Sequence, residues 1–199
     1  FLITGLLLRE RERTGRISMR QFFTRRIRRI MPAAAVTIAI TTALSFLILS
    51  PSRAQATLGD GFFASIFLAN WRFAAGGTDY FASDMGTSPL QHFWTLSVEE
   101  QFYLVWPWML IATLAIAAAA ASRAGKTIAT TTQRRILAAV LIPIVAASLI
   151  WSIVETATAP SVAYFATASR IWELGAGALL AVGAPLFARL ETNARTTLA

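Results

Sequence analysis

The chain of 199 residues is 56% hydrophobic and only 14% charged, with a formal net charge of +8 at pH 7. Soluble domains carry about 25% charged residues, so this composition excludes an ordinary soluble domain and predicts a membrane protein. The lack of cysteine excludes disulfides and cysteine-ligated metal, and a single histidine argues against a histidine-based zinc site. We therefore expect no bound metal and no bound cofactor.

Five apolar segments follow one another along the chain. A helix needs about 20 apolar residues to cross a bilayer. The first segment opens the chain without the basic region of a signal peptide, so we expect it to be the truncated end of a span in a longer protein. The predicted fold is all-α, a polytopic bundle of transmembrane helices. It consists of the truncated end of one span and four further spans. The segments are residues 1–8, 32–49, 101–121, 136–154 and 168–187.

Positive charge alternates between the segments that connect these spans. Residues 9–31 hold nine arginines and two glutamates, and residues 122–135 hold three arginines and one lysine but no acid. Residues 50–100, in contrast, hold two arginines and five acids. The positive-inside rule therefore places loops 9–31 and 122–135 in the cytoplasm, and loops 50–100 and 155–167 outside.

The outward loop 50–100 contains the apolar stretch "GFFASIFLANW", residues 61–71. It is too short to span a membrane and predicts an interfacial or re-entrant helix. The following "AAGGTDYFASDMGTSP", residues 74–89, is rich in glycine, serine, threonine and aspartate and predicts a flexible loop.

An arginine cluster, "RQFFTRRIRRIMP", precedes the second apolar segment. Ser18 is expected to cap a helix there. Arg25 and Arg28 then share one helix face, and Arg26 and Arg29 share another. These arginines either contact anionic lipid headgroups at the cytoplasmic boundary or form a site for a phosphorylated ligand. Nucleic acid is not an expected partner, because the cluster is a short loop between spans.

The stretch "HFWTLSVEEQFYLVWP", residues 92–107, holds the only histidine and two adjacent glutamates. Ser97 and Glu100 have the S-x-x-E spacing of a capping box before an apolar run. This pattern predicts that Ser97 is the helix N-cap, and it explains both residues without catalysis.

Glu99 is the acid of this stretch that capping does not explain. Glu99, Tyr103 and Trp106 fall on one helical face, and Pro107 predicts a kink. His92 lies before the predicted helix start, where it either folds back over Glu99 as a general base toward a sugar hydroxyl or has only a surface or capping role.

The last apolar segment contains "SRIWELGAGALLA". Arg170 and Glu173 are spaced for one helix face, where they either pair with each other or face a cavity. Gly175, Leu179 and Gly183 lie on one helix face, and Gly177 and Ala181 make a small-xxx-small step. Both patterns predict close helix packing.

Several motifs together resemble the acyltransferase 3 family of integral membrane O-acyltransferases, which acylate exported sugars such as O-antigen and peptidoglycan. The motifs occur in the family's order and cover most of the chain. The most specific is the stretch around residues 92–107. The five motifs are "FLITGLLL", "FFTRRIRRIMP", "NWRFAAGGTDYF", "SPLQHFWTLSVEEQFYLVWP" and "YFATASRIWELGAGALLA".

The resemblance implies a bacterial inner-membrane enzyme that uses a cytoplasmic acyl-CoA-type thioester as co-substrate. Four arginines would meet the donor's phosphates: Arg25, Arg26, Arg28 and Arg29. The family's main catalytic histidine lies in a first span that would precede Phe1, so this piece is expected to be inactive alone and His92 is not that histidine.

The sequence thus predicts transfer of an acyl group, with acetyl expected, to a hydroxyl of an exported carbohydrate or glycolipid. The catalytic candidates, His92, Glu99, Glu100 and Tyr103, would form an outward acceptor half of a divided site. The arginines would form its cytoplasmic donor half. Further intramembrane polar candidates are Ser97, Arg170 and Glu173. The alternatives are a transporter or flippase of a glycan or lipid carrier, and a non-catalytic membrane subunit.

Overall fold

The computed structural model describes residues 1–76 and 87–197, and no strand occurs in these ranges, so the predicted all-α class is confirmed. A single 3₁₀ turn, Thr167–Ser169, precedes the last helix. Most of the predicted loop 74–89 falls on residues 77–86, which lie outside the described residues. The helices are α1 Leu2–Thr14, α2 Met19–Ile48, α3 Pro51–Ser65, α4 Ala69–Ala75, α5 Phe93–Arg123, α6 Thr130–Thr158, α7 Pro160–Phe165 and α8 Ile171–Thr197.

Three helices, α2, α5 and α6, are long and apolar enough to cross a membrane. Each extends beyond the apolar run from which it was predicted, because polar residues continue the helix past the hydrophobic part. Their apolar side chains are largely exposed, and on α2 an exposed stripe runs through Val36, Ile40, Leu44 and Leu47. Such a stripe suits contact with lipid. The apolar part of α8, Ile171–Pro185, is shorter, so its crossing stays a prediction.

The helices belong to two compact units. The first unit comprises Phe1–Ile17, Leu104–Leu149 and Ile171–Ala199. Within it, buried Trp106 donates a hydrogen bond to Thr4 Oγ1 at 2.9 Å, which joins α5 to α1. Arg134 of α6 pairs with Glu12 of α1 at 2.6 Å and also donates to the carbonyl of Val182 in α8 at 2.9 Å.

Two glycines of α8 allow close packing inside this first unit. A Cβ atom added at Gly175 would lie 2.6 Å from Val145 Cγ2 of α6, and one added at Gly177 would lie 2.9 Å from the Phe1 nitrogen. Real side chains do not approach so closely, so both positions require the absence of a side chain. The predicted close packing of small residues is confirmed.

The second unit comprises Ser18–Tyr103 and Ile150–Arg170. Ser18 caps α2 as predicted, since its side chain accepts a hydrogen bond from the Gln21 amide. Helix α3 follows after a two-residue break and runs back along α2. A Cβ at Gly61 of α3 would lie 3.0 Å from Thr42 Oγ1 and 3.2 Å from Ile38 Cγ2, both on α2.

The interfacial helix predicted over residues 61–71 is instead divided between α3 and α4. The break contains Phe67, whose φ of 55° lies in the left-handed region that residues with side chains rarely adopt. The prediction of one helix was wrong because hydrophobicity carries no information about a local reversal of the backbone.

An aromatic core surrounds α7 in this second unit. The ring of buried Phe165 packs against Trp94 at 5.6 Å and against Phe73 at 5.8 Å between centroids. Trp94 also contacts Tyr164, with 4.8 Å between the ring centroids. This core holds the first turn of α5 beside α4 and α7, and it thereby positions the polar residues that follow in α5.

Candidate active site

The central polar contact of the second unit joins Arg26 of α2 to Glu100 of α5. Arg26 Nε donates to both carboxylate oxygens of Glu100 at 3.1 Å, and Arg26 Nη2 donates to Oε1. The side chains are only 18% and 16% exposed, so the pair is largely shielded from water. A guanidinium held at two nitrogens by one carboxylate has a defined orientation.

Tyr103 completes this cluster. The Cζ atom of Arg26 lies 3.8 Å from the centroid of the Tyr103 ring, which is the geometry of a cation–π contact. Glu100 and Tyr103 are three residues apart on α5, so one helix face supplies both partners. We call these three residues the Arg26 cluster. The predicted candidates Arg26, Glu100 and Tyr103 are therefore brought together.

The Arg26 cluster corrects the predicted division of the site across the membrane. Arg26 was expected on the cytoplasmic side and Glu100 on the outward side, yet the two side chains are in contact. The physical reason is that α5 begins at Phe93, and its first two turns bring Glu100 to the start of α2. Loop charges predict sidedness but contain no information about such a contact. The side that each loop faces stays a prediction.

The other arginines of the cluster sequence differ from Arg26 in their surroundings. Arg25, Arg28 and Arg29 are exposed. The shared face predicted for Arg26 and Arg29 therefore contains one half-buried and one exposed guanidinium. Exposed arginines next to an anchored one can bind an anion without first losing a protein partner.

The capping box predicted for Ser97 and Glu100 is wrong. Helix α5 starts at Phe93, five residues before the first helical residue that the motif requires, so Ser97 lies inside the helix. It is fully buried and donates to the carbonyl of Phe93 at 2.9 Å. Glu100 is occupied by Arg26 rather than by a backbone amide at the helix start.

Within the described residues, neither Glu99 nor His92 forms a hydrogen bond or ion pair with Arg26. Both are exposed, and the His92 ring contacts its neighbour Phe93, with 4.9 Å between centroids. His92 precedes α5, and Glu99 lies about two turns into that helix. The fold-back of His92 over Glu99 stays a prediction.

Helix α8 begins at Ile171, directly after Arg170, so the shared helix face of Arg170 and Glu173 stays a prediction. Arg170 lies over the rings of Trp94 and Tyr164, at 5.4 Å and 5.0 Å from their centroids. Glu173 is exposed in the first turn of α8. Arg170 thus belongs to the aromatic core of the second unit.

Sequence reasoning missed a buried network beside the Arg26 cluster. Asn70, Gln101 and Thr167 are joined by hydrogen bonds, and Asn70 is completely buried. The sequence predicts Gln101 only as the first residue of an apolar span. A polar amide inside an apolar segment was the one available signal, since such groups are costly unless they have partners.

A second missed contact is the ion pair between Arg72 and Asp60, at 3.3 Å. Asp60 is 7% exposed, so its carboxylate requires a partner. The described residues contain no group of three or more histidine, cysteine, aspartate or glutamate side chains arranged to hold a metal ion. The Arg26 cluster holds one oriented guanidinium, a group that can donate hydrogen bonds to an anion.

Comparison of the sequence with known protein families identifies one that matches this chain. The sequence model of a family described as an acyltransferase domain, acyltransferase 3, matches residues 1–193. No solved structure matches the chain significantly.

Curated relatives match over most of this chain. The peptidoglycan O-acetyltransferase OatA of Listeria monocytogenes is 31% identical over 183 residues, which is 91% of this chain and 27% of that protein. YrhL of Bacillus subtilis is 31% identical over 97% of this chain and 28% of its own length. The O-acetyltransferase OatA of Staphylococcus aureus is 36% identical over 107 residues, 54% of this chain and 17% of that protein. The chain thus spans about a quarter of the first two relatives.

Proposed function

Because the chain belongs to the acyltransferase 3 family, we propose that it works in a membrane-bound O-acetyltransferase that acetylates peptidoglycan. The acetyl group moves from an acyl-CoA-type thioester to a sugar hydroxyl. The observation that carries this proposal is the Arg26 cluster, in which a motif of the arginine-rich loop meets the motif of residues 92–107. The family match favours an acyltransferase over the transporter or flippase considered as an alternative.

Arg26 has the properties of a donor-binding residue. Its Nε and Nη2 atoms are held by Glu100, and no hydrogen bond within the described residues uses its Nη1 atom. The pair therefore orients a guanidinium that still has donors for a phosphate oxygen. The exposed Arg25, Arg28 and Arg29 extend the positive surface along the same turns of α2. The donor is a co-substrate, and the proposal includes no resident cofactor.

The acceptor is proposed as peptidoglycan because the names of two relatives, OatA of Listeria monocytogenes and YrhL of Bacillus subtilis, specify it. A bacterial plasma membrane is the matching location, since the acceptor lies outside that membrane and an acyl-CoA-type donor lies inside. Three apolar helices of spanning length are consistent with a multi-pass protein. The bilayer itself is then a partner.

The test of donor binding uses membrane vesicles that contain the whole acyltransferase in which this chain works, with acetyl-CoA as donor and muropeptides as acceptor. Arg26→Ala is expected to lower kcat/KM for acetyl-CoA by about tenfold or more, since a hydrogen bond to a charged group contributes about 1.5–3 kcal/mol. Arg16→Ala is the matched control, because Arg16 is exposed between α1 and α2. Transferred acetate is measured by mass spectrometry. Equal activity of both variants would refute the role of Arg26.

The test of the acceptor uses cells in which this protein is the sole candidate for glycan O-acetylation. Ester-linked acetate released by alkali from purified peptidoglycan should be present with the natural sequence and strongly reduced with Arg26→Ala. Acetate found on another envelope glycan but absent from peptidoglycan would replace the proposed acceptor while leaving the reaction class intact.

A further inference from the structure

Three side chains of the second unit form a closed ring of hydrogen bonds. Gln101 Nε2 donates to Asn70 Oδ1 at 2.9 Å, Asn70 Nδ2 donates to Thr167 Oγ1 at 3.0 Å, and Thr167 Oγ1 donates to Gln101 Oε1 at 2.5 Å. Donation runs in one direction, so no two donors and no two acceptors oppose each other. We call these three residues the Gln101 ring.

The Gln101 ring is also tied to the backbone of two connecting segments. Gln101 Nε2 donates to the carbonyl of Phe67 at 2.8 Å, and Asn70 Nδ2 donates to the carbonyl of Phe165 at 3.1 Å. Phe67 lies in the strained break between α3 and α4, and Phe165 ends α7. The ring therefore joins three separate parts of the second unit through one residue of α5.

Gln101 lies next to Glu100 and two residues before Tyr103, the two residues of α5 that contact Arg26. An α-helix turns about 100° and rises 1.5 Å per residue, so a fixed side chain sets the rotation and the height of its neighbours. A fully satisfied polar network specifies one arrangement, whereas apolar packing alone tolerates small rotations. A shift at Gln101 would move both partners of Arg26 together.

We propose that Gln101, held by Asn70 and Thr167, is a positioning residue for acyl transfer: it sets the register of α5 that presents Glu100 and Tyr103 to Arg26. The Gln101 ring itself touches neither donor nor acceptor. It acts through the orientation of the Arg26 guanidinium. The inference rests on the proposed role of Arg26 in binding the acyl donor.

The test removes the Thr167 hydroxyl while keeping the side-chain shape. Thr167→Val is expected to raise KM for acetyl-CoA by about tenfold with a change in kcat of about twofold or less, within the range that a small displacement of a positioning group produces. Thr167→Ser retains the hydroxyl and is expected to keep KM near that of the natural protein. A purely structural role would instead reduce the amount of folded protein, and with it the apparent kcat, without changing KM.

A double variant tests whether the effect passes through Arg26. Arg26→Ala and Arg26→Ala combined with Thr167→Val should have the same KM for acetyl-CoA, because residues that act through one contact are not additive. A further KM increase in the double variant would contradict the proposed route.

Gln101→Glu provides an independent variant if Thr167→Val accumulates poorly in membranes. It keeps the shape but loses both Nε2 donors, so it should raise KM in the same way. If Arg26→Ala raises KM while Thr167→Val and Gln101→Glu do not, the positioning role is refuted and the proposed function stands. If Arg26→Ala leaves kcat/KM for acetyl-CoA unchanged, the donor-binding proposal itself is refuted.

Discussion

Arg26 is the residue on which the candidate site depends, because its guanidinium meets a carboxylate and an aromatic ring at once. Glu100 is positioned to neutralise and orient it, and Tyr103 covers one of its faces. Glu99, the adjacent acid, is exposed. The two neighbouring glutamates therefore differ in their contacts, because Glu100 forms the ion pair with Arg26 and Glu99 does not.

This difference predicts a difference in stability. Glu100→Gln leaves a largely buried guanidinium without its counter-charge, so it is expected to cost about 1–3 kcal/mol and to lower the unfolding midpoint by about 5 °C. Glu99→Gln removes an exposed charge and should change the midpoint by about 1 °C or less. Thermal unfolding of the detergent-purified protein compares the two variants. Equal shifts would indicate that the Arg26 pair adds nothing to folding.

Individual helices owe their contacts to a few small residues. In the first unit, Gly175 of α8 lies directly against Val145 of α6, where an added Cβ would overlap the valine methyl group. Membrane helices gain little from hydrophobic burial against each other, so their association depends on such close contact.

The contact predicts a paired stability effect. Gly175→Ala forces Val145 or α8 to move and is expected to destabilise the protein by about 1–3 kcal/mol. Val145→Ala in the same chain should recover most of this loss, because it removes the overlapping methyl group. Gly5→Ala is the control, since its Cβ would meet only Arg9 Nη2 at 3.6 Å. Failure of Val145→Ala to restore the unfolding midpoint would show that another contact is responsible.

At the scale of the whole molecule, the distribution of charge predicts the orientation of the helices across the membrane. The arginines and lysine of loop 122–135 place it in the cytoplasm by the positive-inside rule, and the following segment 155–167 then lies outside. Helix α6, Thr130–Thr158, joins these two loops.

Orientation is measurable by cysteine labelling, because the natural chain contains no cysteine. Thr127→Cys should be protected from a membrane-impermeant maleimide in intact spheroplasts, and Ala157→Cys should react. Both positions are exposed, so accessibility on each side is comparable. After permeabilisation both should react. Labelling of Thr127→Cys in intact spheroplasts would reverse the predicted orientation of α6.

Composition and periodicity determined the helical membrane class, the Ser18 cap, the approximate positions of α2, α5 and α6 and the close packing at Gly175. These follow from local chemistry: hydrophobic length, capping and side-chain size act over a few residues. Family motifs also directed attention to Arg26, Glu100 and Tyr103. Sequence alone misassigned Ser97 and Glu100 to a helix cap, because a capping motif looks the same inside a helix as at its start.

Only the tertiary structure decided which polar residues meet. The hydrogen bonds and ion pair that link Arg26 to Glu100, and Asn70 to Gln101 and Thr167, join residues 31 to 97 positions apart. No local sequence pattern predicts these contacts, because each depends on how α2, α4, α5 and the segment after α7 pack. In a poorly hydrated interior, buried charges and amides must find partners wherever the chain brings them together. The sequence predicts the arginine cluster and residues 92–107 on opposite sides of the membrane. In the structure, the contact between Arg26 and Glu100 joins them in one candidate site.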